Sequence, residues 1–274
     1  MKLLLRVRYN GAAYCGFQYQ KNDVSVQGVL TEAAQRVFGE PCRITGCSRT
    51  DAGVHALNFC CTAEADGECR IPTGKIHKAF EAVLPQDISV AAAAEVPSDF
   101  HARYDCRGKE YVYRICDAPF SDPFEVGRSE RCLRPISDET VDKMSAAAQC
   151  FAGTHDFASF MAAGSKITDT VRTVFKANVK RETENIVTFT VFADGFLYNM
   201  VRIMAGTLLD MAAERIPFSD MPEIIAARDR SRAGRTASAC GLYLSEVFYD
   251  IPLDWRCEGP TAANHIIQMH KKHK

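Results

Sequence analysis

The sequence predicts an α+β protein built from two similar halves, each with a mixed or antiparallel sheet. Segments with a two-residue apolar period alternate with segments whose apolar residues have helical spacing. The order strand, helix, strand, strand occurs twice, before and after about residue 105. The length of 274 residues is enough to bury a substantial core. We therefore place one half at residues 1–105 and the other at residues 106–255.

The first half begins with a strand, because residues 2–9 alternate between two faces. Ser25 can cap a helix whose apolar stripe has helical spacing, and Gly39 ends that helix. Thr73 can cap a second helix, which Pro85 stops. These signals predict two helices interleaved with strands.

The second half repeats this arrangement. Tyr111, Tyr113 and Ile115 share one face of a predicted strand. Ser137 can cap a helix that Gly153 closes. The other predicted elements are two strands, an apolar helix and a final strand, at about 171–179, 186–192, 197–213 and 242–248. A flexible basic tail is expected over residues 256–274.

The composition indicates a globular protein of the cytoplasm. Apolar residues make up 47% of the chain and charged residues 24%. The apolar run at the N-terminus is too short for a secretory signal, and no segment approaches the roughly 20 apolar residues that a membrane helix needs. We expect a cytoplasmic location and no membrane partner.

The twelve cysteines do not have the spacing of a metal site or of a redox pair. None forms a Cys-x-x-Cys motif, and the adjacent Cys60 and Cys61 point to opposite faces if they lie in a strand. Reduced and mostly buried thiols are the better interpretation. We predict no metal and no cofactor, and a cysteine-based redox protein is disfavoured because paired thiols are lacking.

Positive charge is clustered although the formal net charge is −1. Three groups of cations stand out, namely Arg228, Arg230, Arg232 and Arg235; Arg103, Arg107, Lys109 and Arg114; and Lys166, Arg172, Lys176, Lys180 and Arg181. Any single group is explained as well by solvated surface charge. Phosphate binding needs local positive potential rather than a basic protein, so three groups together favour an RNA partner.

The most informative segment runs from Ser48 to Ala56. It places the carboxylate of Asp51 two residues after Arg49 and two residues before Gly53, ahead of a predicted strand. Asp followed closely by Gly favours a tight, exposed turn, and loops on a rigid scaffold are where catalytic groups are commonly placed. An Asx-turn that only satisfies backbone donors is the alternative for an isolated Asp-x-Gly.

Eight short motifs spread along most of the chain, taken together, decide between these alternatives. They are Tyr9–Gly11, Tyr14–Gln20, Ser25–Gly28, Arg49–Ala56, Phe100–Arg103, Lys109–Arg114, Asn199–Arg202 and Gly241–Leu244. In this order they resemble the TruA type of the tRNA pseudouridine synthase family, in which the Asp of the Arg49–Ala56 motif is catalytic. One residue departs from the family pattern, because the position before Arg49 is commonly Gly and here is Ser48.

The resemblance implies a pseudouridine synthase fold, with two α/β-sandwich halves around a central cleft. It also implies isomerisation of uridine in the anticodon stem-loop of tRNA, at positions 38 to 40, by a homodimer without cofactor or metal. Asp51 would attack the sugar or base, or stabilise developing oxocarbenium charge. Both possibilities stay open.

Four further site residues accompany Asp51. Arg202 interrupts an apolar helix, and an Arg there is seldom fully buried unless it is paired, although its stem can instead reach solvent. The resemblance makes Arg202 the partner of the catalytic Asp and Tyr111 the aromatic residue of the site. Arg49 would contact RNA and help to hold the target base out of its helix. Arg103 is a candidate phosphate contact.

Two other functions remain as alternatives. A paralogue that modifies a different uridine, for instance in ribosomal RNA, would keep the same catalytic residues. A non-catalytic RNA-binding protein would use the two halves as platforms and would not need Asp51.

Overall fold

The computed structural model describes residues 1–164 and 167–256. The strands in these ranges are β1 (Lys2–Tyr9), β2 (Arg43–Gly46), β3 (His55–Glu64), β4 (Ile88–Glu95), β5 (Cys106–Cys116), β6 (Glu130–Arg131), β7 (Gly153–Asp156), β8 (Val171–Thr183), β9 (Ile186–Ala193) and β10 (Leu242–Tyr249). The α-helices are α1 (Val26–Phe38), α2 (Ile76–Glu81), α3 (Asp138–Gln149), α4 (Met200–Ala212) and α5 (Met221–Ala227).

All these strands belong to one mixed sheet. Its main order is β4-β1-β3-β10-β5-β9-β8-β7, with β2 paired to β3 and β6 paired to β5. Most neighbours are antiparallel, whereas β10 is parallel to β3 and β6 is parallel to β5. The predicted α+β class with a mixed sheet is confirmed. The boundary near residue 105 stays a prediction, and the two proposed halves share this continuous sheet.

Strand β10 brings two distant parts of the chain together. Leu244 pairs with Ala56 of β3 on one side and with Tyr111 of β5 on the other. The loop that enters β3 is the one that carries Asp51. The sheet therefore places this loop beside the strand that carries Tyr111.

Two helix starts are as the sequence predicts. The Ser25 side chain accepts a hydrogen bond from the Gly28 amide at the start of α1, and Gly39 caps the other end. Ser137 accepts from the Thr140 amide at the start of α3. In both helices a side-chain oxygen satisfies one of the first backbone donors, which have no partner inside the helix.

Three predicted boundaries are wrong. Thr73 begins a short 3-10 turn and donates its hydroxyl to Glu95, so α2 starts only at Ile76. Gly153 does not close α3, which ends at Gln149, but begins β7. The apolar helix α4 starts at Met200 rather than near residue 197, because the backbone at Asn199 has a left-handed φ of 59° that interrupts helical geometry.

A large apolar core lies between the sheet and the helices. Eleven residues of α4 are buried, and they lie around nearly its whole circumference. This explains why the helix is mostly apolar on every side. Cys47, Cys60 and Cys61 are buried there as free thiols. None of the helices in the described ranges is both long enough and apolar enough to cross a membrane. The predicted basic tail lies outside the described residues except for Arg256.

Candidate active site

The loop between β2 and β3 presents Asp51 at a tight turn. The Val54 amide donates to the Asp51 carbonyl at 3.2 Å, and Gly53 has a φ of 80° that favours glycine. The Asp51 side chain is 30% exposed, so the carboxylate is partly shielded yet reachable. The predicted turn is confirmed, and its carboxylate does more than satisfy local backbone donors.

The segment at residues 14–17 holds this turn through backbone hydrogen bonds. The Phe17 amide donates to the Thr50 carbonyl at 3.2 Å, and the Gly53 amide donates to the Tyr14 carbonyl at 3.3 Å. The buried hydroxyls of Tyr9 and Thr50 are 2.9 Å apart. These bonds join the loop to β1 and to the segment before α1, and they restrict the backbone on both sides of Asp51.

Arg202 pairs with Asp51 across 151 residues of chain. Its Nη1 donates to Oδ2 of Asp51 at 3.0 Å and to Oδ1 of Asn199 at 2.8 Å. Its Nε donates to the Ala237 carbonyl at 2.8 Å. Three acceptors thus fix the plane of a guanidinium that is only 19% exposed. A charge-assisted bond of this kind holds the carboxylate in one orientation.

Tyr111 is buried at the floor of the site. Its hydroxyl is 3.2 Å from Oγ of Ser48, and its ring meets the edge of Phe196 with centroids 5.0 Å apart. Burial raises the pKa of the Tyr111 hydroxyl well above its ordinary value, so the phenol is neutral at physiological pH. Ser48, the residue that departs from the family pattern, therefore contacts the aromatic residue of the site.

All five predicted site residues line one cleft with a volume of about 820 Å³. Asp51, Tyr111 and Arg202 meet at its floor, while Arg49 and Arg103 are exposed. Among the described lining residues, the cations are Arg49, Arg103, Lys109, Arg172 and Arg202, and the carboxylate is Asp51. The cleft therefore has positive potential suited to phosphates although the whole chain is nearly neutral.

Besides Tyr111, three aromatic residues of the cleft were not identified from the sequence. Tyr104 and Tyr198 line it with 74% and 48% of their surface exposed, and Phe196 lies beside Tyr111. Exposed aromatic rings at a cationic cleft offer stacking surfaces for bases. Of these three residues, only Tyr104 could have been found from the sequence, because it directly follows the candidate phosphate contact Arg103.

The basic clusters of the sequence form no single surface. Lys109 and Arg172 line the cleft, whereas Arg228 pairs with Asp156 at 3.3 Å and Arg235 pairs with Glu130 at 2.6 Å. Arg181 is likewise held by Asp117 and Asp138. These arginines therefore each have a carboxylate partner within the protein, and RNA contact by the three clusters stays a prediction. Lys166 lies outside the described residues.

His55 connects the strand after the Asp51 turn to two other segments. Its Nδ1 accepts from the Gly11 amide at 3.0 Å, so the proton lies on Nε2, which donates to the Cys240 carbonyl at 3.1 Å. The ring stacks on Tyr243 with centroids 4.6 Å apart. Burial lowers the pKa of His55, which agrees with a neutral ring and a structural role.

The site offers a carboxylate, a guanidinium and a phenol for chemistry. Among residues 1–164 and 167–256, no group of three or more His, Cys, Asp or Glu side chains is arranged to hold a metal ion. The groups that are present suit reactions that need an oriented anion in a partly shielded cleft.

Comparisons with known proteins agree on one family. A family model described as tRNA pseudouridine synthase matches residues 6–105 and 147–250. A protein of Ruminiclostridium cellulolyticum named tRNA pseudouridine synthase A is 41% identical over 249 residues, covering 90% of this chain and 99% of its own. Proteins of the same name from Caldicellulosiruptor bescii and Limosilactobacillus fermentum are 42% and 41% identical, covering 90% and 89% of this chain and 99% and 94% of theirs.

Proposed function

This chain belongs to the tRNA pseudouridine synthase family, and from that premise we propose that it isomerises uridine to pseudouridine in tRNA with Asp51 as the catalytic residue. The observation that carries the proposal is the Asp51–Arg202 ion pair at the floor of a cationic cleft. An oriented, charged carboxylate is what this reaction needs, and the surrounding cations suit an RNA substrate.

The reaction is an isomerisation and balances without a co-reactant. The bond between N1 of uracil and C1′ of ribose breaks, the base turns, and a bond forms between C5 and C1′. The proton leaves C5 and N1 gains one. Asp51 can attack the sugar or base covalently, or stabilise positive charge that develops at C1′ and then move the proton. Either role requires an oriented carboxylate, and Arg202 orients it through a charge-assisted hydrogen bond.

The other site residues would bind and orient the nucleotide. A uridine in a stem must leave the helix to reach Asp51, at a cost of about a few kcal/mol. The ring of Tyr111 would stack on the extruded base, and Arg49 would occupy or contact the position that the base vacates. Arg103 at the exposed rim would contact a phosphate. These roles follow from the resemblance and agree with where the side chains lie.

We propose the anticodon stem-loop as the target, at positions 38 to 40, because that is the substrate implied by the family resemblance. We also propose a cytoplasmic homodimer. One observation supports association of two copies, since residues 120–133 expose several large apolar side chains, namely Phe120, Phe124, Val126 and Leu133. Light scattering should give twice the chain mass, and Phe124→Asp should shift the protein toward the monomer if this segment lies at the interface.

The function is tested by mapping pseudouridine in RNA from cells with and without this gene. Carbodiimide labelling followed by primer extension should show stops at tRNA positions 38 to 40 that disappear in the deletion strain and return with the wild-type gene. Loss of a stop in ribosomal RNA instead would identify the paralogue. Unchanged stops everywhere, together with tRNA binding by the purified protein, would support the non-catalytic alternative and contradict the proposal.

A further inference from the structure

Residues 234–241, which we call the bridge segment, contact Arg202 on one side and residues that follow Asp51 on the other. This segment precedes β10 and includes a short 3-10 turn at Ala239–Gly241. It passes between α4, which carries Arg202, and the turn that carries Asp51. Its position therefore affects the distance and angle between the two charged groups.

On the α4 side, the contacts reach the backbone and the side chain of Arg202. The Ala237 amide donates to the Arg202 carbonyl at 3.0 Å, and Arg202 Nε donates to the Ala237 carbonyl at 2.8 Å. The Gly234 amide donates to Oγ1 of Thr207 at 2.9 Å. A Cβ at Gly206 would lie 1.9 Å from the Arg235 carbonyl oxygen, so the segment packs directly on the helix. Movement of the segment would displace one of the three acceptors that orient the guanidinium.

On the Asp51 side, the contacts reach the residues just after the catalytic turn. Nε2 of His55 donates to the Cys240 carbonyl at 3.1 Å. The Ala239 methyl carbon lies 3.4 Å from where a Cβ at Gly53 would stand. The same eight residues therefore define one edge of the turn and the orientation of Arg202.

A buried carboxylate, Glu130 of β6, anchors the middle of the bridge segment. Its Oε2 accepts from the Ser238 amide at 2.7 Å and from the Tyr113 hydroxyl at 2.5 Å. Its Oε1 pairs with Nη1 of Arg235 at 2.6 Å, and the Glu130 side chain is only 10% exposed. Burial and the nearby Glu130 raise the pKa of Tyr113, so its hydroxyl stays protonated and donates. Tyr113 is therefore more than a packing residue.

At this buried position the protein has the charged side chain of Glu130, where an apolar side chain could also pack. A buried ion pair adds little to stability on average, because desolvation opposes the attraction, and a well-packed apolar group often serves as well. A carboxylate, however, can accept from an amide, a hydroxyl and a guanidinium at once and fix the register of all three. The arrangement at Glu130 matches that use.

We propose that Glu130 is a positioning residue for the isomerisation, acting through Ser238 and Ala237 on the orientation of Arg202 toward Asp51. The inference rests on the proposed function of the Asp51 site. Glu130 does not line the cleft and would not touch the substrate.

The test is Glu130→Gln, assayed by single-turnover pseudouridine formation on a tRNA transcript together with tRNA affinity. Gln keeps the size, but one oxygen becomes an amide group that faces the Arg235 guanidinium. We expect the rate at saturating enzyme to fall roughly tenfold, since small misplacements at a reacting centre are costly, while the Kd for tRNA changes less than about twofold. Tyr113→Phe should cause a smaller fall in the same direction.

Glu125→Gln is the matched control. It removes one partly buried carboxylate that pairs with Arg114 at 3.0 Å, only five residues from Glu130, and Glu125 makes no hydrogen bond to the bridge segment. We expect a wild-type rate from this variant. A double-mutant cycle with Arg202→Lys adds a readout that general destabilisation would not change. If Glu130 acts through Arg202, its substitution should reduce the rate of the Arg202→Lys enzyme much less than tenfold.

A wild-type rate in folded Glu130→Gln overturns the inference, and so does a fully multiplicative effect in the cycle. If Glu130→Gln fails to fold, Tyr113→Phe carries the same test, and a wild-type rate there also overturns it. An inactive wild-type enzyme on every tRNA transcript would instead contradict the proposed function, so the two failures are distinguishable.

Discussion

The two sides of the candidate active-site cleft hold their charged groups by different means. On one side, Asp51 stands on a turn whose backbone is fixed by amide–carbonyl bonds to residues 14–17 and by a pair of neutral hydroxyls. On the other side, Arg202 is oriented by Asn199 and by a segment that a buried carboxylate anchors. Bonds between uncharged groups position the anion, whereas a network that includes the buried carboxylate of Glu130 positions the cation.

This difference indicates which substitutions each side tolerates. A turn held by backbone bonds is sensitive to changes of backbone conformation and less sensitive to the loss of one side-chain contact. A guanidinium held by several acceptors is sensitive to the loss of any of them, because each loss frees a rotation. The following substitutions test that contrast, in order of decreasing effect on the rate.

Among the residues that support Asp51, substitution of Arg202 by Ala should have the largest effect. It leaves the Asp51 carboxylate without its partner and removes the bonds to Asn199 and Ala237. We expect the single-turnover rate to fall by about a hundredfold or more, with a small change in the Kd for tRNA. Arg202→Lys keeps the charge but not the planar set of donors, so it should lose roughly tenfold. A wild-type rate for Arg202→Lys would show that the geometry of the guanidinium is unimportant.

Gly16→Ala should disturb the other side through the backbone. Gly16 has a φ of 106°, and a Cβ there would lie 2.4 Å from the Thr50 carbonyl oxygen, next to Asp51. We expect about 1–3 kcal/mol lower stability in urea unfolding and a rate roughly tenfold lower. Gly39→Ala is the control, since Gly39 also has a positive φ, of 74°, but no atom near its Cβ position and no contact with the turn. That variant should lose stability and keep its rate.

Stability should depend on pH through His55. Burial lowers the pKa of this histidine below its ordinary value of 6.5. Above pH 6.5 the ring is neutral in both states and its contribution to stability is fully present. As the pH falls from 6.5 toward the native pKa, the unfolded chain takes up a proton that the native protein does not, so that contribution is lost.

Urea unfolding between pH 8 and about pH 5 measures this effect. The wild type should lose stability over the lower part of this range more steeply than His55→Gln, whose side chain does not titrate. Parallel curves for the two proteins would show that His55 has its ordinary pKa in the native protein.

Ser48→Gly should have the smallest effect. It removes the contact of 3.2 Å to the Tyr111 hydroxyl, a neutral hydrogen bond of about 1 kcal/mol at most. It also restores the residue that is common in the family at this position. We expect a change in rate within about threefold, measured under single-turnover conditions. A loss as large as that of Arg202→Lys would mean that this hydroxyl contact positions Tyr111 for the reaction.

The same contrast explains what could be predicted from the sequence. The turn around Asp51 was predictable, because Asp, Gly and the following strand are adjacent in the chain and their preferences are local. The caps at Ser25 and Ser137 were predictable for the same reason. The α+β class followed from apolar periodicity, and it is confirmed by the mixed sheet.

The support of Arg202 was not predictable from local patterns. Glu130, Ser238 and Tyr113 are separated by up to 125 residues, and only the folded sheet brings them together. Boundaries also depended on tertiary contacts. Asn199 adopts a left-handed φ and accepts from Arg202, so α4 begins later than its apolar pattern predicts. Which members of the basic clusters pair with carboxylates, as Arg228 and Arg235 do, also depended on the fold.

The most direct test of the central claim is Asp51→Asn, measured by release of tritium from tRNA labelled at C5 of uridine. Formation of the bond between C5 and C1′ expels that hydrogen, so its release reports the reaction itself. Asn keeps the size of the side chain and removes its charge. We predict a rate lower by about 10⁴-fold or more, with tRNA affinity near that of the wild type, because phosphate contacts supply most of the binding. Tritium release at the wild-type rate would contradict the account.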